Sequence, residues 1–70
     1  MAPKAEISNN VRQLRFEHGE MTQQQLADRI GCTRQTVIML EQERYVPSLV
    51  LALKIAKVFD EDVEAIFTLR

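Results

Sequence analysis

The polar side chains best suited to recognising another molecule lie between Gly31 and Glu43, where Arg34 and Gln35 are neighbours in the sequence. An arginine guanidinium can donate two parallel hydrogen bonds to the edge of guanine, and a glutamine amide can pair similarly with adenine. Helix surfaces also carry such residues only to remain solvated. The surrounding segments therefore decide between recognition and solvation.

Residues that could catalyse a reaction are few. Cys32 is the one cysteine and His18 the one histidine, whereas a structural zinc site needs about four such ligands. We expect Cys32 to be a small buried apolar residue and His18 to lie at a helix end. The sequence has no glycine-rich phosphate loop and no carboxylate pair with a pocket, and so small a domain has little room for a cleft. We therefore expect neither an enzyme nor a bound cofactor or metal.

Length and composition indicate one globular domain. The chain has 70 residues, of which 46% are hydrophobic and 27% charged. With one cysteine there is no internal disulfide, so stability must come from helix packing and self-association. No apolar run approaches the roughly 20 residues that span a bilayer, and residues 1–4 do not start a secretory signal. We expect a cytoplasmic protein without a membrane partner.

The net charge of −1 counts against nucleic-acid binding, because domains that bind nucleic acids usually have a strongly basic balance. The charges are nevertheless unevenly distributed along the chain. Acidic residues cluster near the C-terminus, whereas most arginines precede the fourth predicted helix. The chain could therefore present one basic and one acidic face.

Hydrophobic spacing predicts five short helices after a flexible N-terminal arm of residues 1–6. The first helix is expected over residues 9–18. Ser8 or Asn9 can cap its start, and Gly19 suits the left-handed conformation that ends a helix.

The fourth and fifth helices are expected after Ser48 and Asp62, both of which can cap a helix. The fourth is apolar around most of its circumference, interrupted only by Lys54 and Lys57. Such a helix is buried on more than one side, and in so small a protein we expect the second side to meet a partner subunit. The last helix is expected near residues 63–67.

The segment 23–42 predicts two helices joined by a turn too short for any but a steep crossing. Thr22 and Gln25 have the spacing of a capping box, and Thr33 can cap the next helix. Gly31 lies where the backbone must turn sharply. The apolar or small residues at the expected contacts are Leu26, Ala27, Ile30, Cys32, Val37 and Leu40.

This pattern resembles the helix-turn-helix of the Xre-like, phage-repressor-type family, and the likeness covers residues 11–67. It includes the stretches VRQLR, TQQQLADRIG, CTRQTVIMLE, YVPSLVLALKIAKVF and VEAIF. The resemblance implies an all-α, five-helix lambda-repressor-like domain over residues 7–70, with the helix-turn-helix at about 22–42. In short members the chain ends add a small two-stranded sheet, here residues 6–8 with 67–69.

The same resemblance implies a transcriptional repressor that binds duplex DNA as a homodimer through its third helix. Two recognition helices related by a two-fold axis require a near-palindromic operator with half-sites about 34 Å apart. The residues that match base-contacting positions are Thr33, Arg34, Gln35, Thr36 and Met39. Those assigned to phosphates are Gln23, Arg44 and Arg12.

The resemblance also assigns structural roles. Arg15 and Glu41 match a pair that forms a salt bridge between the first and third helices. The dimer interface is expected to use the apolar remainder of the fourth helix together with Val63, Ile66, Phe67 and Leu69.

Several residues depart from the family's pattern. The family often has Asn-Gly after the third helix, where this chain has Gln42 and Glu43, and glycine is common at the position of Asp60. A left-handed Glu43 would cost on the order of 1 kcal/mol relative to glycine, and its carboxylate would repel phosphate. With Ile38 and Met39 on the third helix, these features favour a second hypothesis, an antitoxin-like or adaptor module that binds protein.

Overall fold

Hydroxyl side chains determine where three of the helices begin. The computed structural model describes residues 5–70. Thr22, Thr33 and Ser48 each accept a hydrogen bond from the backbone N–H three residues later, at 3.0, 3.2 and 3.1 Å. The Gln25 side chain accepts in return from the backbone N–H of Thr22 at 2.9 Å. The caps predicted at these three residues and the capping box are confirmed. Asp62 occupies the cap position of the last helix, as expected, but its side chain makes no cap hydrogen bond.

The described residues form five helices between two short strands. The bounds are β1 Ile7–Asn9, α1 Val11–Glu17, α2 Gln23–Ile30, α3 Arg34–Glu41, α4 Leu49–Phe59, α5 Val63–Ile66 and β2 Phe67–Leu69. This order confirms the predicted five-helix domain with a small terminal sheet.

Helix α1 is shorter than predicted because β1 takes the residues expected at its start. Ser8 and Asn9 lie in β1, and Asn10 occupies the cap position without a side-chain cap hydrogen bond. The Asn9 Oδ1 atom still accepts from the backbone N–H of Val11 at 3.1 Å. After the helix, Gly19 adopts the predicted left-handed conformation, with a φ of 78°.

The two strands pair antiparallel, and the register on β1 is one residue later than the prediction of 6–8. The Asn9 side-chain amide donates to the Leu40 carbonyl at 2.9 Å, which helps hold Asn9 in the extended segment. Helix α5 ends one residue early for a similar reason, since the next residue enters β2. The paired residues are Ile7 with Leu69, Ser8 with Thr68 and Asn9 with Phe67.

The predicted N-terminal arm falls partly within the described residues. Residues 1–4 lie outside them. Ala5 donates its N–H to the Glu43 carbonyl at 2.7 Å, and Glu6 accepts from the Arg70 N–H at 2.8 Å. The two described residues of the predicted arm, Ala5 and Glu6, are therefore held by backbone hydrogen bonds.

The core is built from the inward faces of the helices, with Phe59 and Leu26 among its largest fully buried side chains. Met21 and Leu26, on either side of the start of α2, are both buried in it. The core residues are Val11, Leu14, Met21, Leu26, Ala27, Ile30, Val37, Leu40, Ile55, Ala56, Phe59 and Ile66.

Helix α4 packs on the core with one face and leaves an apolar face uncovered. Its buried residues are Ala52, Ile55, Ala56 and Phe59. On the other side Leu49, Val50 and Leu53 are 71%, 63% and 52% exposed. These three residues are called the α4 face below.

The burial of Ile66 corrects one residue of the predicted dimer interface. Ile66 is 1% exposed within the protomer, because α5 points this side chain into the core, so it has no surface left for a partner. Val63 and Phe67 are half-buried against the same core, whereas Leu69 is exposed.

Candidate nucleic-acid interface

The turn between α2 and α3 sets the angle at which the two helices cross. Gly31 has a left-handed φ of 73°, and the N–H of Cys32 donates to the Ala27 carbonyl at 3.0 Å. The side chain of Ala27 is fully buried. A left-handed residue directly after the last turn of α2 reverses the chain at once, so α3 begins only three residues later.

Helix α3 buries one face and exposes the other. Val37 and Leu40 lie in the core, while Arg34 and Gln35 are exposed on the outer side. Met39 is 37% exposed. An outer surface with two multidentate polar side chains and one thioether can meet both hydrogen-bonding and apolar groups of a ligand.

The start of α3 is held by two threonines. The Thr33 Oγ1 atom accepts from the backbone N–H of Thr36, and the two hydroxyl oxygens lie 3.0 Å apart. Thr33 is exposed and Thr36 is half-buried. The five residues predicted to meet bases thus lie on α3 or at its N-cap. Thr36 is the least exposed of them, and its hydroxyl is within hydrogen-bond distance of Thr33.

A buried ion pair fixes α3 against the two preceding helices. The Arg15 Nε atom lies 2.5 Å from Glu41 Oε2 and its Nη2 lies 2.9 Å from Oε1. Arg15 also donates through Nη1 to the Met21 carbonyl at 2.7 Å, and Gln23 donates its amide to Glu41 Oε1 at 3.2 Å. The pair implied by the resemblance is therefore present, and it ties α1, α2 and α3 together.

An open groove of about 840 Å³ runs between α1, the start of α2 and α3. It brings together Arg12 and Gln23, two of the residues predicted to meet phosphate, with Arg34 from the base-contacting set. Arg44 does not line this groove; it is exposed in the loop after α3, where its N–H donates to the Met39 carbonyl at 3.1 Å. The groove is lined by Arg12, Arg15, Phe16, Thr22, Gln23, Gln24, Arg34, Ile38, Glu41 and Gln42.

The sequence reasoning missed Phe16, which lies on the exposed side of α1 beside the groove. The guanidinium carbons of Arg12 and Arg15 lie 5.6 and 5.3 Å from the centre of its ring. Cations at this distance are attracted to an aromatic face. The four-residue spacing from Arg12 to Phe16 was the available signal, because residues so spaced are neighbours on a helix.

Glu43 adopts the left-handed conformation considered from the sequence, with a φ of 61°. Its carboxylate accepts from the backbone N–H of Asn9 at 3.1 Å and forms an ion pair with Arg70. The paired arginine offsets the negative charge that was expected to repel phosphate. Asp60, at the end of α4, is also left-handed, with a φ of 53°.

Cys32 and His18 both make structural contacts. His18 ends α1, where its Nδ1 donates to the Leu14 carbonyl at 2.8 Å and its ring packs edge-on against Phe59. This confirms the predicted helix-end position. Cys32 is half-buried, and burial raises the pKa of its thiol, which keeps the sulfur protonated and weakly nucleophilic near neutral pH.

Residues 5–70 offer neither a metal-binding cluster nor a membrane-spanning helix. That part of the chain holds no cluster of three or more His, Cys, Asp or Glu side chains suited to a metal ion. None of its helices combines the length and apolar character needed to cross a lipid bilayer.

Two short helices that cross at a left-handed glycine, the second with a polar outer surface, define a helix-turn-helix protein. The helix-turn-helix family model matches residues 11–66. An uncharacterized HTH-type transcriptional regulator of Methanothermobacter thermautotrophicus is 52% identical over 60 residues, covering 84% of this chain and 86% of the relative. A second, YgzD of Bacillus subtilis, is 46% identical over 63 residues, covering 90% and 94%. The chain belongs to the Xre-like helix-turn-helix family.

A solved structure has the same fold. The crystal structure of a proposed DNA-binding protein from Bacteroides fragilis matches with a TM-score of 0.75 and covers 89% of this chain and 98% of that chain. The sequences are 19% identical, so this likeness concerns the fold.

Proposed function

We propose that the protein is a transcription regulator that binds specific duplex DNA sequences through α3. The observation that carries the proposal is the division of α3 into a buried face, with Val37 and Leu40, and an outer face on which Arg34 and Gln35 are exposed. Membership of the helix-turn-helix family and the names of the relatives support it.

The outer face of α3 has the chemistry needed to read base edges in the major groove. Arg34 can donate two hydrogen bonds to guanine O6 and N7, and Gln35 can pair with adenine N6 and N7. Thr33 and Thr36 offer methyl groups to thymine, and Met39 adds apolar contact. These five residues would supply the sequence preference.

Phosphate contacts would set the register of α3 in the groove. Gln23 begins α2, where backbone N–H groups and the helix dipole favour an anion. Arg12 lies on α1 and lines the protein groove that also contains Gln23. Arg44 lies beyond the C-terminal end of α3. Together these residues would place positive or donating groups on both sides of the recognition helix.

We propose a homodimer in which the α4 face meets its copy around a two-fold axis. Leu49, Val50 and Leu53 form an exposed apolar surface, and such surfaces mark association sites. Leu69, with the outer parts of Val63 and Phe67, would extend the contact. The dimer would place two α3 helices on a near-palindromic operator with half-sites about 34 Å apart and repress transcription by occupying it.

Selection of bound duplexes from a random pool, with the mass of the complex measured in parallel, tests this proposal. We expect enrichment of two inverted half-sites one helical turn apart and a protein mass twice the 8.1 kDa of one chain. Recovery of no preferred duplex at low salt would contradict it.

A second candidate function is a protein-binding module of the antitoxin or adaptor kind. The exposed α4 face favours it, since a different protein could cover the same apolar residues. Co-purification of a stoichiometric partner, together with DNA titrations that stay flat at low salt, would select this function instead.

A further inference from the structure

Glu43 connects the end of α3 to both ends of the described chain. Its backbone is left-handed, two residues after the end of the helix. Its carboxylate accepts from the Asn9 N–H at 3.1 Å and pairs with the guanidinium of Arg70. Its carbonyl accepts from the N–H of Ala5 at 2.7 Å. One residue therefore contacts the segment before β1, β1 itself and the residue after β2.

Asn9 and Arg70 complete this connection. The Asn9 amide donates to the Leu40 carbonyl in the last turn of α3 at 2.9 Å. Arg70 donates through Nε to the Ala5 carbonyl at 2.9 Å and through its backbone N–H to Glu6 at 2.8 Å. The hydrogen bonds of the small sheet thus extend to the C-terminal end of α3. We call Asn9, Glu43 and Arg70 the terminal clamp.

The left-handed turn at residue 43 does not by itself explain the carboxylate side chain of Glu43. Glycine adopts a left-handed conformation more readily than glutamate, so the turn alone does not require a carboxylate. The Glu43 side chain is 17% exposed and its charge is directed at Arg70, not into solvent. The next residue is Arg44, whose backbone N–H bonds to Met39. The clamp therefore fixes the course of the chain from α3 into Arg44.

We propose that Glu43 is a positioning residue for DNA recognition: with Asn9 and Arg70 it holds the end of α3 and Arg44 in the geometry that docks on DNA. This inference rests on the proposed function. Without the clamp, the end of α3 and the Arg44 loop would have to be ordered when DNA binds, and that ordering lowers affinity.

If Glu43 acted only by repelling phosphate, its removal would change DNA affinity in the opposite direction. Removing a carboxylate close to bound phosphates should tighten DNA binding, whereas removing a positioning group should weaken it. Glu43→Gly separates the two effects, because glycine keeps the left-handed turn while deleting the carboxylate. Asp60→Gly is the matched control: it also removes one negative charge from a left-handed residue, but at the end of α4.

The experiment uses the full chain and a duplex selected with the wild-type protein. The variants are Glu43→Gly, Arg70→Met, the double variant and Asp60→Gly. Affinity is measured at a temperature at which thermal melting shows that every variant is folded. Amide hydrogen exchange is recorded in parallel, because it reports local opening that does not unfold the domain.

Glu43→Gly and Arg70→Met should each weaken binding roughly five- to tenfold, which is within the range for the loss of one typical intramolecular hydrogen bond. The double variant should lose less affinity than the sum of the two single losses, because both single variants remove the Glu43–Arg70 ion pair. Each also removes a contact of its own, to Asn9 or to Ala5. Exchange at Gln42 and Arg44 should become faster in all three. Asp60→Gly should bind as tightly as the wild type or slightly more tightly.

Three results would overturn the inference. The first is a wild type that selects a duplex while Glu43→Gly binds it equally or more tightly. The second is a double variant whose loss is the sum of the two single losses, which would mean that the residues act separately. The third is a wild type that binds no duplex. This result would overturn the proposed function as well, and the wild-type measurement alone distinguishes it from a failure of the inference about Glu43.

Discussion

Arg15 and Glu41 meet side-on, with two N–H groups of the guanidinium donating to the two oxygens of one carboxylate. Both side chains are buried, at 7% and 6% exposure. A bidentate pair has directional preference as well as charge attraction. The contact joins residues 26 positions apart and so determines how α3 lies on α1.

Breaking this pair should destabilise the fold strongly. Arg15→Met leaves the Glu41 carboxylate buried beside the neutral amide of Gln23, and an uncompensated buried charge costs roughly 3–5 kcal/mol. Urea denaturation measures the change in unfolding free energy. The double variant Arg15→Met with Glu41→Leu should recover much of the loss, because neither charge then remains. Equal losses in the single and double variants would count against this explanation.

Arg34 and Arg44 should affect DNA binding in different ways. Arg34→Ala should change the preferred base at one position of each half-site, with a loss of about 1–3 kcal/mol on the original operator. Arg44→Ala should weaken binding to all duplexes by a similar factor, because a phosphate contact carries no sequence information. Repeating the duplex selection with each variant measures both effects. Specific binding that survives intact in both variants would refute the assigned roles.

Salt should weaken DNA binding steeply. Each phosphate contact releases counterions, so the logarithm of the binding constant falls linearly with the logarithm of salt concentration. Arg12→Ala and Arg44→Ala should each reduce the slope by about 1. Lys57→Ala on α4 serves as the control, since Lys57 lies outside the groove that contains Arg12. The roles of the two arginines would be contradicted by slopes that match the wild type.

A charge on the α4 face should prevent dimer formation. Leu53→Lys would place an ammonium in the proposed apolar contact, so sedimentation should give the mass of a monomer. Phe16→Lys is a matched control, because both residues are 52% exposed but Phe16 lies on α1. Dimer formation that persists in Leu53→Lys and disappears in Phe16→Lys would place the interface elsewhere.

The sequence predicted the features that depend on neighbouring residues. Thr22, Thr33 and Ser48 cap helices because a hydroxyl bonds to a backbone N–H only three residues away. Gly31 was predictable for a similar reason, since a left-handed turn favours glycine. Most of the helix-turn-helix follows from such local rules and from the spacing of the buried residues.

The features that the sequence did not predict depend on contacts between distant residues. Asn9 lies in β1 and bonds to Leu40, 31 positions away, so α1 begins later than its local pattern suggested. Glu43 was expected to repel phosphate, yet it pairs with Arg70, 27 positions away. Ile66 was expected at the dimer interface, but packing of α5 buries it within the protomer. Pattern and propensity do not encode these pairings.

Methylation interference on the selected duplex tests most directly whether α3 reads the major groove. Methylation of guanine N7 blocks an acceptor in the major groove, whereas methylation of adenine N3 blocks one in the minor groove. We expect N7 methylation within each half-site to abolish binding, and Arg34→Ala to remove the effect at one guanine. Binding that is insensitive to N7 methylation but lost on N3 methylation would contradict recognition by α3.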